Sequence, residues 1–258
     1  MKTANQHRFQ ELITQAQSAV FSGWNFDWLA DRMIQENPPW NYPELVRRHL
    51  VQAHSLLDMG TGGGEFLASL APLPPDTHAT EAYPPNQPIA ETRLSPLGVQ
   101  VHSITDQEGL PFDAARFDLV INRHEGYNPT EVYRVLKAGG VFITQQVGGL
   151  DNLELNQVLE ETRSFPFFSW NLVDALTGLI EAGFSIINAT QAALKTQFKD
   201  IGAIVYYLKA IPWQIEGFSL ETHTDKLMRL HDTIEHQGGF ISTAHRFLII
   251  AHKKEKTS

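Results

Sequence analysis

Apolar residues recur at helical spacing in the first part of the chain. This pattern predicts two amphipathic helices, over residues 9–20 and 26–34, with a glycine break between them. Pro43 is well placed at the first position of a third helix, because the missing N–H of proline has no partner to lose there. Residues 1–53 are therefore expected to form a helical cap ahead of the first strand.

Short apolar runs alternate with helical patterns in the middle of the chain, which is typical of strands joined by crossover helices. The first run begins at Ser55, and the later strands are expected over residues 77–82, 99–104, 117–122, 141–147, 186–193 and 245–252. The alternation predicts an open α/β sheet with helices on its faces. Such sheets bind ligands at the carboxyl ends of their strands.

Turn and cap residues mark the helices in the second half of the chain. Residues 128–140 are predicted to be a capped helix that closes with a glycine pair. Further helices are expected over residues 151–163 and 171–183. The stretch 194–244 is predicted to be a long helical insertion, because helical spacing of its apolar residues outweighs the strand-like composition of AIVYYL.

The length of 258 residues fits one α/β domain with insertions. In this interpretation residues 54–193 and 245–253 form the core sheet, flanked by the cap and by the insertion. Hydrophobic residues make up 42% of the chain and charged residues 19%, which is ordinary for a globular protein with a sizeable core. The whole chain is therefore predicted to be a single domain.

A glycine-rich turn follows the first predicted strand. The stretch 55–67, SLLDMGTGGGEFL, predicts a strand that ends, turns sharply and enters a helix whose first N–H groups face outward. A dinucleotide fingerprint needs glycine at its sixth position, but counting from Gly60 that position is Glu65. A phosphate-binding P-loop is excluded because the turn contains no lysine. The remaining pattern, D-x-G-x-G-x-G over residues 58–64, predicts that a ligand docks here.

A carboxylate ends the second predicted strand. Glu81 lies 81 minus 58, or 23, positions after Asp58. In nucleotide-binding folds, a carboxylate about 20 residues beyond the glycine turn accepts hydrogen bonds from ribose hydroxyls. The alternative is a glutamate that is only solvated. At this position after a strand, the ribose role is the prediction for Glu81.

Three segments resemble the class I S-adenosylmethionine-dependent methyltransferases, and the type 11 group in particular. They are the D-x-G-x-G-x-G turn, Asp106 with the following turn Leu110-Pro111-Phe112, and RVLKAGG at 134–140. The resemblance implies a Rossmann-like sheet of seven strands, six parallel and the last antiparallel, with S-adenosylmethionine as the cofactor. It also implies a set of cofactor-binding residues: Asp58, Gly60, Gly62, Glu81, Ala82, Asp106, Gln107 and Asn122. Without the neighbouring turn, Asp106 would be read as a local cap.

Polar residues after the fourth predicted strand are the candidates for proton chemistry. His124 and Glu125 follow that strand, and histidine can accept a proton near neutral pH. The competing interpretation is that Arg123, His124 and Glu125 pair with one another in a loop. The resemblance implies no universal catalytic residue, because alignment of the reacting groups supplies most of the rate.

Aromatic residues in the cap and in the insertion are the candidates for acceptor binding. They offer flat apolar walls with polar tips: Trp40, Tyr42, Tyr207 and Trp213. Packing alone would also account for them. The prediction is that both segments cover the cofactor and the acceptor as a lid.

Composition narrows the choice of partner. Lys and Arg number 20 against 29 Asp and Glu, and the formal charge of −9 disfavours nucleic acid. The absence of cysteine excludes disulfides, thiolate metal sites and cysteine nucleophiles. No signal peptide or apolar run of about 18 residues is found, so a cytoplasmic location without a membrane partner is expected.

The predicted function is methyl transfer to a small molecule, and the alternatives are an RNA methyltransferase or a cofactor-binding module without turnover.

Overall fold

The computed structural model describes residues 2–22, 24, 26–105, 109–160 and 167–255. The helices are α1 Lys2–Ser18, α2 Tyr42–Leu50, α3 Glu65–Ser69, α4 Gln87–Leu94, α5 Pro129–Val135, α6 Leu153–Leu159, α7 Leu172–Glu181, α8 Ile201–Ala210 and α9 Leu220–Gln237. The strands are β1 Met33–Gln35, β2 Ser55–Met59, β3 Asp76–Glu81, β4 Gln100–Ser103, β5 Phe117–Arg123, β6 Leu136–Val147, β7 Phe184–Phe198 and β8 Phe240–Lys253. None of the helices in these ranges is long and apolar enough to cross a membrane.

The strands form a mixed sheet in the order β1-β7-β8-β6-β5-β2-β3-β4. Strands β6, β5, β2, β3 and β4 are parallel neighbours, whereas β8 runs antiparallel to β6. The predicted α/β fold with a mostly parallel sheet is confirmed. Over the described residues the sheet has eight strands rather than the seven expected, because β1 pairs antiparallel with the end of β7.

The chain separates into two compact units. Unit 1 contains residues 1–37, 149–168 and 193–245, and unit 2 contains residues 38–148, 169–192 and 246–258. The apolar core of unit 1 is built mainly by α1, α8 and α9, on which Phe9, Ile204 and Leu230 are buried. The helices predicted within 194–244 from their apolar spacing are therefore confirmed as α8 and α9.

Helices cover both faces of the sheet in unit 2. Successive residues of a strand point to opposite faces, so neighbours on β2 enter different cores. Leu56 packs with α2, α3 and α4, and Leu57 packs with α5 and α7. On β8, Leu248 packs in the same core as Leu56, and its neighbour Ile249 packs in the same core as Leu57.

Asparagine side chains begin two of the predicted helices. Asn128 Oδ1 accepts a hydrogen bond from the Thr130 N–H at 2.9 Å, and Asn171 Oδ1 accepts one from the Val173 N–H at 2.8 Å. Each bond satisfies a backbone donor that has no partner inside the helix. Both helices therefore begin where the local sequence predicted.

The helix predicted over residues 26–34 is wrong. One turn of 3₁₀-helix spans Asp27–Leu29, and the chain then enters β1. Asp31 has a φ of 62°, a left-handed conformation that interrupts helical geometry. The following backbone pairs with β7, where Ile34 lies opposite Gln197. Sheet hydrogen bonds therefore replace the helical ones, and Ile34 stays 50% exposed.

Helix α5 ends earlier than predicted, at Val135 instead of at the glycine pair. Leu136 adopts an extended conformation, with φ −73° and ψ 140°, and pairs with Phe117. The residues before Gly140 consequently belong to β6. Pairing with β5 thus takes this segment out of the helix that its sequence favours.

Two strands extend into the stretch expected to be a helical insertion. Strand β7 continues to Phe198 and β8 begins at Phe240, so only the middle of residues 194–244 is helical. Similarly, α6 ends at Leu159, short of the predicted end at 163, and residues 161–166 lie outside the described ranges. Apolar periodicity located these helices but did not set their ends.

Candidate active site

The register of the parallel strands places several predicted site residues at one edge of unit 2. Met59 at the end of β2 lies opposite Thr80 on β3 and opposite Asn122 on β5. Asn122 in turn lies opposite Thr144 on β6. Glu81 ends β3 directly after Thr80. The carboxyl ends of four neighbouring strands therefore meet here, as the sequence predicted.

The glycine turn after β2 requires left-handed backbone. Gly60, Gly62 and Gly64 have φ angles of 69°, 62° and 80°, which side-chain-bearing residues rarely adopt. A Cβ atom on Gly60 would collide with the side chain of Glu125. The Thr61 N–H donates to the Thr80 carbonyl at 2.9 Å and ties the turn to β3. The turn therefore needs glycine at these positions, and the side chain of Glu125 packs against it at Gly60.

Glu81 holds the glycine turn in place. Its Oε2 accepts a hydrogen bond from the Gly62 N–H at 2.6 Å, and its Oε1 accepts one from the Tyr83 N–H at 2.8 Å. Burial raises the pKa of Glu81, against the backbone N–H groups of Tyr83, Gly62 and Ala82, which lower it. Each carboxylate oxygen can accept a further hydrogen bond. The predicted ribose role therefore remains open to Glu81, and half-buried Ala82 follows directly after it.

Asp58 is a buried carboxyl group beside the turn, with only 3% of its surface exposed. Burial raises the pKa of Asp58 to about 7, and the negative charge of Glu81 adds to this effect. The Thr61 side chain and the Arg123 guanidinium act in the opposite direction. Asp58 thus ionises much less readily than an exposed aspartate, and a cationic group next to it would stabilise its charged form.

Asn122 carries a hydrogen-bond donor that no described group satisfies. Its Oδ1 accepts hydrogen bonds from the Thr144 hydroxyl at 2.9 Å and from the Gln146 amide. Its Nδ2, in contrast, is buried without a partner among the described residues. Because a buried amide donor without a partner is costly, a hydrogen-bond acceptor that reached this atom at the strand end would be favourable.

His124 and Glu125 directly follow β5, as predicted. His124 Nε2 lies 3.0 Å from Gln145 Nε2, and Gln145 Oε1 accepts a hydrogen bond from the Trp40 indole at 2.8 Å. The side chain of Glu125 lies over Gly60. The surrounding protein, together with the positive charges of Arg246 and Arg123, lowers the pKa of His124 well below 6.5. The ring is therefore neutral at pH 7.

Two of the four predicted acceptor-binding aromatics lie in unit 2. Tyr42 is buried, and its hydroxyl donates to the Asn122 carbonyl at 3.0 Å, so it packs α2 onto the strand ends. Trp40 is half-buried and lines a surface groove. Tyr207 and Trp213 belong to unit 1, where Tyr207 is buried and Trp213 is 50% exposed. The predicted acceptor contacts and the lid stay predictions.

Some functional candidates escaped the sequence reasoning, and two predicted ones cannot be placed. Asp106 and Gln107 lie outside the described residues. Gln145 and Gln146 were missed, although both lie near the end of β6 and contact the predicted site. One feature of the sequence could have identified these two glutamines. Both strands were predicted, and their parallel pairing places the polar residues that follow β5 beside those near the end of β6.

Comparisons with known proteins agree with the methyltransferase resemblance found in the sequence. A family model described as "Methyltransferase domain" matches residues 57–144. A search of curated proteins found no match. A candidate methyltransferase from Bacillus halodurans shares 20% identity at a TM-score of 0.57, over 82% of this chain and 98% of that chain. A candidate sarcosine dimethylglycine methyltransferase from Galdieria sulphuraria shares 17% identity at a TM-score of 0.52, over 90% and 86%.

A third structure contains the expected cofactor. Geranyl diphosphate methyltransferase in complex with S-adenosylmethionine shares 13% identity at a TM-score of 0.50, over 82% of this chain and 84% of that chain. At these identities the structures show a common fold. The matched family segment runs from β2 to β6 and contains Asp58, the glycine turn, Glu81 and Asn122. Residues 57–144 therefore match a methyltransferase domain, and the chain shares the fold of these solved structures.

Proposed function

We propose that this protein transfers the methyl group of S-adenosylmethionine to a small-molecule acceptor. The observation that carries the cofactor assignment is the glycine turn braced by Glu81, whose carboxylate keeps acceptor capacity for hydroxyl groups. The unsatisfied Asn122 Nδ2 also fits a ligand with polar groups. The cytoplasmic location remains a prediction.

When bound, S-adenosylmethionine supplies an already activated methyl group. The tasks of the protein are then to fix the two reacting groups in line and to exclude water. Alignment of this kind can contribute about 7 to 11 kcal/mol, whereas general base catalysis contributes about 3 to 5 kcal/mol. We assign the turn, Glu81 and Asn122 to holding the cofactor. Asp58, whose pKa is raised to about 7, would ionise beside a cationic ligand group.

A groove beside Trp40 supports a small acceptor. It has a volume of about 370 Å³, and its walls combine Trp40 and Leu248 with the polar residues Asn188 and Thr190. Small-molecule sites commonly have volumes of about 300 to 1,000 Å³. The excess of acidic residues also disfavours an extended contact with RNA phosphates.

The cofactor assignment is tested by placing a methyl group on the turn. Gly62→Ala should weaken S-adenosylmethionine binding, measured by calorimetry, at least about tenfold, or about 1.4 kcal/mol. Gly98→Ala is the matched control, because Gly98 also has a positive φ, of 79°, but its Cβ would meet open space. Both variants should lose about 1 to 2 kcal/mol of stability from left-handed strain. Equal cofactor affinity in the two variants would contradict the assignment.

The acceptor class is tested separately, by methyl transfer from radiolabelled S-adenosylmethionine. Label should enter the small-molecule fraction of a metabolite extract and should be absent from total RNA incubated in the same way. The Gly62→Ala variant supplies the background for both reactions. Labelling of RNA alone would replace the small-molecule proposal with the RNA alternative. Cofactor binding without labelling of either substrate would favour a binding module without turnover.

A further inference from the structure

A hydrogen-bonded row of three side chains lies beside the strand ends of unit 2. The Trp40 indole Nε1–H donates to Gln145 Oε1 at 2.8 Å, and Gln145 Nε2 lies 3.0 Å from His124 Nε2. The backbone reinforces the arrangement, because the His124 N–H donates to the Gln145 carbonyl at 2.8 Å. Gln145 is only 6% exposed, so few solvent molecules compete for its amide.

The chemistry of the donors determines where the histidine proton lies. An indole N–H can only donate, so the Gln145 atom that faces Trp40 must be the amide oxygen. The amide nitrogen then faces His124, and it too can only donate. His124 Nε2 must therefore be the acceptor nitrogen of the ring. In a neutral imidazole the proton consequently lies on Nδ1.

The charges near His124 favour the neutral ring. Desolvation of the ring, even though the residue as a whole is exposed, and the guanidinium groups of Arg246 and Arg123 lower the pKa of His124. A proton added at Nε2 would also point at the Gln145 amide N–H, so two donors would face each other. His124 is thus poorly suited to receive a proton at Nε2, the role that a general base on that atom would need.

We propose that Trp40 and Gln145 are positioning residues that hold His124 as a neutral Nδ1–H tautomer, so that His124 offers the site a hydrogen-bond donor and not a general base. This inference rests on the proposed methyl transfer, since only that reaction gives the site a need for either role. It replaces the proton-accepting role predicted for His124 from the sequence. It also gives Trp40 a task other than forming an apolar wall.

The test is the tautomer of His124, read from imidazole ¹⁵N signals in the free protein at pH 7. The His124 signals are identified by their loss in His124→Asn. We expect a protonated nitrogen at Nδ1 and an unprotonated nitrogen at Nε2. In Gln145→Glu a carboxylate, which only accepts, would face Nε2, so the proton should appear on Nε2. In Trp40→Phe the amide is no longer fixed, so the two tautomers should average and the Nδ1 and Nε2 shifts should move toward each other.

Trp170→Phe is the matched control, because Trp170 is another tryptophan of unit 2 whose ring contacts Tyr127 and Phe247. It should keep the wild-type pattern. A proton on Nε2 in the wild type, or an unchanged pattern in Gln145→Glu, would overturn the proposal. If Trp40→Phe fails to fold, the nearly isosteric Gln145→Glu variant decides alone. Calorimetry with S-adenosylmethionine tests the proposed function separately from the tautomer of His124. If the cofactor does not bind, the proposed function is refuted, but the result for the tautomer is unaffected.

Discussion

Changing Asp58 to asparagine should make the protein increasingly more stable than the wild type as pH rises from 5 to 8. The pKa of Asp58 is raised from 3.8 to about 7 in the folded state, so folding favours the protonated carboxyl. Its contribution to stability is complete below about pH 3.8 and is lost as pH rises through about 7. An asparagine has no proton to lose. The stability difference between variant and wild type should therefore grow by about 3 kcal/mol over this range.

Urea unfolding of the variant and the wild type at several pH values measures this difference. The titration of all other groups cancels, because it contributes equally to both proteins. Asp118→Asn is a suitable control in the same unit. Burial opposes ionisation of Asp118, but hydrogen bonds from Lys137 and Ser55 outweigh it and lower its pKa. Asp118 is then ionised in both states from pH 5 to 8, and its difference curve should be flat. A flat curve for Asp58→Asn as well would show that its carboxyl is not destabilised by burial.

Removing the side chain of Glu81 should damage both the turn and ligand binding. Glu81→Ala leaves the Gly62 and Tyr83 N–H groups without their acceptor. The unsatisfied buried donor at Gly62 costs about 1 to 3 kcal/mol, whereas Tyr83 is exposed enough for water to replace the lost acceptor. We expect destabilisation of about 1 to 3 kcal/mol, together with a fall in S-adenosylmethionine affinity worth about 1 to 3 kcal/mol. Urea unfolding and calorimetry on the folded variant give the two values.

Two comparisons make the Glu81 result specific. Glu44→Ala removes an exposed glutamate of the same unit, paired with Arg48 at 3.2 Å, and should change stability by less than about 1 kcal/mol. Hydrogen exchange at the Gly62 amide should be slow in the wild type and fast in Glu81→Ala. Normal affinity in a variant with a fast-exchanging Gly62 amide would mean that Glu81 braces the turn without contacting the cofactor.

Local signals in the sequence were sufficient for much of the fold. The caps at Asn128 and Asn171 and the apolar spacing of α8 specify helices through contacts within a few residues. The glycine turn and Glu81 could also be located, because the spacing between them reflects one helix and the strand that follows it. The residues whose structure depends on neighbours close in sequence were therefore the predictable ones.

The errors arose where distant partners decide the structure. Ile34 lies in a strand because β7 is available to pair with it, and Leu136 leaves α5 because Phe117 lies opposite. Gln145 was overlooked for the same reason, since its importance depends on contacts with Trp40 and His124, 105 and 21 positions away. No pattern within a single window of sequence contains such information.

The brace between Glu81 and the glycine turn bears on how fast ligands bind. Because the Gly62 and Tyr83 N–H groups are already held in the free protein, this loop need not be ordered when a ligand arrives. The turn should then impose no slow conformational step, and association can approach the usual range of about 10⁵ to 10⁷ M⁻¹s⁻¹. Rigid ligand analogues whose shape matches the turn should lose little binding free energy to reorganisation of the protein. The loop acts as a fixed template, and differences in affinity among such analogues should appear mainly in their dissociation rates.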